Sequence, residues 1–328
     1  MVRLYCYFLQ RKGNINFKDN LLEYWLKKSI VSLLLLSFSL IFTSLPVFAS
    51  INGRCDEYQI TFNQYYNPII KLNIAGELVS LIVDTGAGSM GLSLDKSIIE
   101  KIKDINYTGV DKFSDLAGNT YQVKQYIAPH IKIGSFSYKN LSINEYTQWG
   151  LFSENIDKDN HLNAPHNNIR GVIGIKFLYK YPFIIDYQKM KFYILENADT
   201  LPSEDYEYSN WQKIRFQLSE DGIRLSVKLE QNLRARLDLD TASNISILRG
   251  GYPINPNLKE QCNIKFEKKS NCEYFVANYI QIGEKMFGKQ EFYFYDFPAT
   301  DIDGLLGYSF LEDKIILFNL EEQLFYIK

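Results

Sequence analysis

The sequence predicts an all-β protein made of two related halves, and three observations predict it. Hydrophobic residues recur mostly with a period of two, the signature of half-buried strands. Aromatic residues make up 15% of the chain, with 24 Tyr and 22 Phe, and such side chains favour strands over helices. Three landmarks also occur twice in the same order, the mark of a tandem duplication.

The first element is a leader. Lys27 and Lys28 precede an apolar run that ends in Val47-Phe48-Ala49, the charged, apolar and small-residue regions of a secretory signal peptide. Residues 1–49 are therefore set apart as signal peptide and leader, with cleavage expected after Ala49 and the mature chain exported, periplasmic or secreted. The run Ile30 to Phe48 is nearly long enough to span a bilayer. Membrane contact is thus expected only if the leader is not cleaved and anchors the chain through residues 30–48. Removing 49 of 328 residues leaves 279, and the leader's six Lys/Arg and two Asp/Glu leave 30 basic against 36 acidic side chains. That balance gives no hint of nucleic acid as a partner. An exported chain is free to form disulfides. Cys262 and Cys272 flank a short charged stretch and are candidates to pair; Cys55 then has no partner, and three free thiols are the equal alternative.

The next elements are strands. "PIIKLNI", the turn Ala75-Gly76-Glu77 and "LVSLIVD" read as a hairpin. "KIRFQL", Asp221-Gly222, "IRLSVKL" and "LRARLDLD" read as a three-stranded meander with a tight first turn. The stretch "SLDKSIIEKIKDI" has helical character instead.

The duplication is read from aligned segments. "LIVDTGAGSMGL" at 81–92 answers to "LDLDTASNISIL" at 237–248, and "IAPHIKIG" at 127–134 to "VANYIQIG" at 276–283. "GVIGIKFLYKYPFIIDYQKMKFYI" at 171–194 answers to "GLLGYSFLEDKIILFNLEEQLFYI" at 304–327 without a gap. The domain boundaries follow: 50–200 for the first lobe and 201–328 for the second. The first copy carries an insertion, 87 residues from Asp84 to Gly171 against 64 from Asp240 to Gly304, mostly within 147–169. His161, His166, Asp157 and Asp159 in that insertion lack the spacing of a zinc site and read as a solvated loop. No metal and no cofactor are expected.

The first landmark admits two chemistries. Gly86, Gly88 and Gly91 spell the G-x-G-x-x-G of a dinucleotide-binding turn, while Asp84-Thr85-Gly86 puts a carboxylate on a turn at a strand end. The second copy decides between them. Asp240-Thr241-Ala242 has lost all three glycines and kept Asp-Thr, so the duplication preserves the carboxylate rather than a phosphate cradle. A dinucleotide fold also needs strands alternating with crossover helices. Two carboxylates brought together across a twofold axis hold one proton between them, which suits general acid–base hydrolysis.

These paired motifs, each an apolar strand ending in Asp-Thr-Gly or a variant followed later by two hydrophobic residues and a glycine, resemble retropepsin-like aspartic proteases in tandem, as in pepsin. The resemblance covers roughly residues 58–328. It implies two retropepsin-like β-barrel lobes related by a pseudo-twofold axis, with a cleft between them for a polypeptide substrate, in a monomer that is an internal pseudo-dimer. It implies Asp84 and Asp240 as the catalytic dyad, Thr85 and Thr241 bracing it across the interface, and Gly86 and Ala242 supplying backbone N–H groups to the carboxylates. A flap over the substrate falls on "DLAGNTYQV", with Gly118 at its tip and Tyr121 as a flap aromatic; "FEKKSNCEYF" at 266–275 holds the equivalent place in lobe two. The family often places a hydroxyl after Asp-Thr-Gly to hydrogen-bond the carboxylate; here Ala87 and Ser243 stand there. Ala242 departs from the family's glycine. The competing function is a peptide-binding module that kept the cleft and lost catalysis through Ala242.

Overall fold

The computed structural model describes residues 53–63, 65–148, 168–262, 272–298 and 301–328. The leader, the four His and Asp residues of the insertion, and residues 266–271 of the lobe-two flap stretch lie outside the described residues. From residue 51 onward the chain forms one compact body. It is all-β, and it repeats itself.

Lobe one is an eight-stranded sheet in the order Thr61–Phe62, Pro68–Ile74, Glu77–Val83, Ile169–Ile173, Leu92–Leu94, Phe136–Glu145, Thr120–Ile133 and Asn106–Ser114. Lobe two answers with Lys259–Cys262, Cys272–Ala277, Gln290–Tyr295, Ser246–Arg249, Gly304–Leu306, Arg234–Leu239, Ile223–Leu229, Ile280–Ile282 and Lys285–Phe287; Gln217–Leu218 adds to Ile223–Leu229. In each lobe the strand that ends at Asp-Thr pairs in parallel with the strand that carries the later glycine, Glu77–Val83 with Ile169–Ile173 and Arg234–Leu239 with Gly304–Leu306. A parallel pair needs a long crossover. Here most of each lobe is that crossover, which is how residues 87 and 64 positions apart become neighbours.

Local chemistry explains the turns. Ala75 and Gly76 have φ of 51° and 84°, the left-handed pair of a tight two-residue hairpin. Gly134 and Gly283, the last residues of the second landmark, both turn with φ near 60°, so that repeat marks one shared hairpin. "SLDKSII" makes only a single helical turn, Lys96–Ile99, with Ile98 and Ile99 buried; no crossover helix follows, and the dinucleotide reading fails with it.

A third sheet joins the halves. Its order is Cys55–Gln59, Lys191–Leu195, Phe183–Asp186, Ile315–Asn319, Leu324–Ile327 and Gln212–Arg215, three strands from each half. The axis passes between its two central strands, where Phe183 faces Phe318 and Ile185 faces Ile316. The rings of Phe183 and Phe318 stack 4.6 Å apart, and both are fully buried, each worth about 1.5–3 kcal/mol of apolar burial. The expected meander is corrected here. "KIRFQL" is cut at Phe216: Gln212–Arg215 leaves for the shared sheet and only Gln217–Leu218 stays with lobe two. Buried Phe216, on the core side, makes the break.

Cys272 is disulfide-bonded, and the strand register sets Cys262 directly opposite it. Cys55 is a free, half-buried thiol whose pKa burial pushes up to about 11.

Candidate active site

The two Asp-Thr strands end side by side at the axis. Asp84 N–H donates to Ile173 O at 2.9 Å and Asp240 N–H to Leu306 O at 3.0 Å, so each loop starts from its own parallel neighbour. The threonines then cross over. Thr85 Oγ1 donates to Leu239 O at 2.6 Å and accepts from Thr241 N–H at 3.0 Å; Thr241 Oγ1 donates to Val83 O at 2.7 Å and accepts from Thr85 N–H at 3.1 Å. Both threonines are fully buried. Four hydrogen bonds across a buried interface, each worth about 1 kcal/mol and costly to leave unmade, hold the loops in one relative position.

Behind the threonines the carboxyls meet. Gly86 N–H donates to Asp84 Oδ1 at 2.8 Å. Ala242 and Ser243 N–H donate to Asp240 Oδ1 at 2.8 and 3.1 Å. The carboxyls of Asp84 and Asp240 are close enough to act on each other, and two buried carboxyls so placed favour holding one proton between them. Burial pushes the Asp84 pKa well above the carboxylate range, and the neighbouring Asp240 charge pushes the same way. Burial lifts Asp240 to about 6, against the pull of the Ala242 and Ser243 N–H groups.

The glycines serve this packing. A Cβ on Gly86 would lie 2.9 Å from both Cγ and Oδ2 of Asp240. One on Gly88 would lie 2.3 Å from Glu220 O and 2.4 Å from Gly222 N, and one on Gly91 would lie 2.3 Å from Ser142 O. All three glycines of the fingerprint thus admit protein atoms rather than a pyrophosphate. The later glycines match across lobes: Cβ atoms on Gly174 and Gly307 would strike Ala87 O and Ser243 O, each at 2.7 Å. The short helices Ile175–Leu178 and Tyr308–Leu311 start there, their first N–H groups on those same carbonyls at 3.0 and 2.7 Å.

The Ser243 hydroxyl donates to Ile245 O at 2.8 Å. The expected hydroxyl contact to Asp240 is therefore made by the Ser243 backbone instead. Gly118 sits at the tip of the hairpin between Asn106–Ser114 and Thr120–Ile133, with φ of 85°. The tip reaches lobe two: a Cβ on Gly118 would come 2.8 Å from Pro298 Cγ, and Leu116 packs against Ile247, Phe297, Ile302 and Leu305. Tyr121 turns back into the hairpin, its hydroxyl donating to Asp115 Oδ2 at 2.9 Å and its ring stacked on Phe113 at 5.3 Å.

Two supports had no visible signal in the sequence. Asn67 Nδ2 donates to Ala242 O, and Asn63 holds Asn67 in place through its side chain at 2.8 Å. Reciprocally, the turn Ser219–Gly222 of lobe two packs on Thr85 O and Gly88 of lobe one. Each lobe thus backs the other lobe's loop. Among the described residues no group of His, Cys, Asp and Glu is arranged to hold a metal.

No protein-family model and no curated protein matches the sequence. The fold does have solved counterparts. The aspartic proteinase from Irpex lacteus superposes with a TM-score of 0.52 at 11% identity, over 84% of this chain and 97% of that one. Basic 7S globulin from soybean superposes with a TM-score of 0.50 at 10% identity, over 85% and 95%. At such identities the likeness is one of fold, the two-lobed all-β fold of pepsin-like proteins.

Proposed function

We propose that the chain is an aspartic endopeptidase that hydrolyses polypeptides with Asp84 and Asp240. The observation that carries this reading is the pair of adjacent buried carboxyls at the axis, each held by N–H groups of its own loop. Burial and the Asp240 charge raise the proton affinity of Asp84 the more, so Asp84 keeps the shared proton; Asp240, lifted only to about 6, carries the charge. Asp240 takes a proton from a water as its oxygen attacks the scissile carbonyl, and Asp84 donates its proton to the carbonyl oxygen. The resulting gem-diol collapses as the leaving nitrogen is protonated, and the dyad returns to one proton. The carboxylates do both jobs only because their environments separate their proton affinities.

The hairpin tip at Gly118, with Leu116 against lobe two, is the proposed flap, beneath which an extended chain would lie against the dyad. A binding module without turnover is the second reading, favoured by Ala242 in place of glycine. Cleavage of a mixed peptide pool, with and without a statine inhibitor, separates the two: inhibitor-sensitive products support the peptidase, and inhibitor binding without products supports the module. We also propose export as a monomer after removal of the leader, supported by the apolar run before Ala49; N-terminal sequencing of the exported chain is expected to begin at Ser50.

A further inference from the structure

The duplication lets each position beside the dyad be compared with its twin, and one pair of positions differs in kind. Two residues before the carboxyls stand Ile82 and Asp238. Residues two apart on a strand share a face, so each flanks its own carboxyl. Across the ladder Ile82 faces Ile69, while Asp238 faces Arg224. Lobe one therefore has an apolar pair where lobe two has a buried ion pair. Arg224 Nε donates to Asp238 Oδ1 at 3.0 Å and Nη2 to Oδ2 at 3.3 Å, with the side chains 9% and 2% exposed.

The guanidinium reaches further. Nη1 pairs with Asp301, ahead of the Gly304–Leu306 strand, and Nη2 with Asp221 at 3.4 Å, in the turn that backs the lobe-one loop. Burying two charges costs as much as their attraction returns, and an apolar pair of similar volume is often no less stable. Lobe one holds the same rung with two isoleucines, so stability alone does not account for the ions.

We propose that Arg224 and Asp238 are positioning residues for Asp240 whose ion pair breaks the equivalence of the two carboxyls and tunes how readily Asp240 gives up its proton. This rests on the peptidase reading above. The groups acting on Asp240 include Asp84 from the other loop and Asp238 from its own strand, and buried Tyr187 from the end of the shared sheet feels its charge. Those acting on Asp238 are Arg224, Asp221 and Asp301. The Asp238 charge raises the proton affinity of Asp240, and Arg224 holds that charge in check. The charge that raises Asp84 comes from Asp240 itself.

The test is a titration of 13C-labelled aspartate carboxyls by NMR, in wild type, Asp238→Asn and Arg224→Met, beside kcat and KM against pH on one peptide. Asp238→Asn leaves the guanidinium unopposed at that rung and is expected to move the Asp240 titration down. Arg224→Met leaves the carboxylate bare and is expected to move it up. Each displacement is expected to be about one to two pH units, the size set by one charge about 7 Å away in a protein interior. The acidic limb of kcat should follow, with KM little changed. If Arg224→Met fails to fold, Asp238→Asn alone still decides. An Asp240 titration unmoved in Asp238→Asn, or moved the same way in both variants, overturns the proposal. A wild type that cleaves nothing counts against the peptidase reading instead, since the titration is read without turnover.

Discussion

Asp240→Asn is expected to make the protein more stable at neutral pH while abolishing cleavage. Burial raises the Asp240 pKa from 3.8 to about 6. A folded-state pKa above the unfolded value gives stability that is fully present below pH 3.8 and is lost as pH rises through 6. At about 1.4 kcal/mol per pH unit, that lift costs the folded state nearly 3 kcal/mol at pH 7.5, or about 2 kcal/mol once partial exposure and the coupling to Asp84 are allowed for. Asparagine keeps an acceptor for the Ala242 and Ser243 N–H groups and carries no charge. Urea unfolding followed by tryptophan fluorescence should show the variant about 2 kcal/mol more stable at pH 7.5, a rise in Tm of about 4–8 °C. At pH 3 the two proteins should converge, because wild type is then protonated in both states. A variant equally stable or weaker at pH 7.5, or a difference that ignores pH, would refute the reasoning.

The other predictions concern the loops, the brace and the flap. Gly86→Ala drives a methyl to 2.9 Å from the Asp240 carboxyl and is expected to remove cleavage. Ala242→Gly should cost only about 0.4–1 kcal/mol and leave turnover within a few-fold; cleavage appearing only in Ala242→Gly would favour the binding module. Thr85→Ala removes two buried cross-lobe hydrogen bonds and should destabilise by about 2–3 kcal/mol, with Thr85→Ser recovering most of it in the same urea titration. The rate profile should peak in mildly acidic solution, since Asp240 loses its proton near 6; a maximum below about pH 3, where ordinary carboxyls are protonated, would contradict the arrangement. Leu116→Ser loosens the flap tip from Phe297 and Ile302 and is expected to change KM more than kcat.

The duplication made the fold legible, because two copies of one pattern separate constraint from accident. Strands such as Pro68–Ile74 and Glu77–Val83 alternate apolar and polar residues around a turn whose chemistry is local. What escaped lies in long-range packing. Nothing in "FNQYYN" says that Asn67 will reach Ala242 O, some 175 residues on. Phe216 reads as one more strand residue, although two sheets part company there. The Arg224–Asp238 pair was in view within the meander, but its meaning comes from the register that sets it against Ile69 and Ile82. The Ser243 hydroxyl donates to Ile245 O, a partner set by the path of the loop and not by the motif.

The antiparallel seam between Phe183–Asp186 and Ile315–Asn319 is self-complementary, the kind of edge two identical subunits would share. In such a homodimer every substitution appears twice, once on each side of the axis. A methyl at the position of Ala242 would then also stand at Gly86, where it strikes the opposing carboxyl. An ion pair at one rung would likewise be imposed on both. Covalent fusion lifts that restriction, because each half answers to its own codons. The unequal loops and unequal rungs of this chain are thus open to a single polypeptide and closed to its symmetric counterpart.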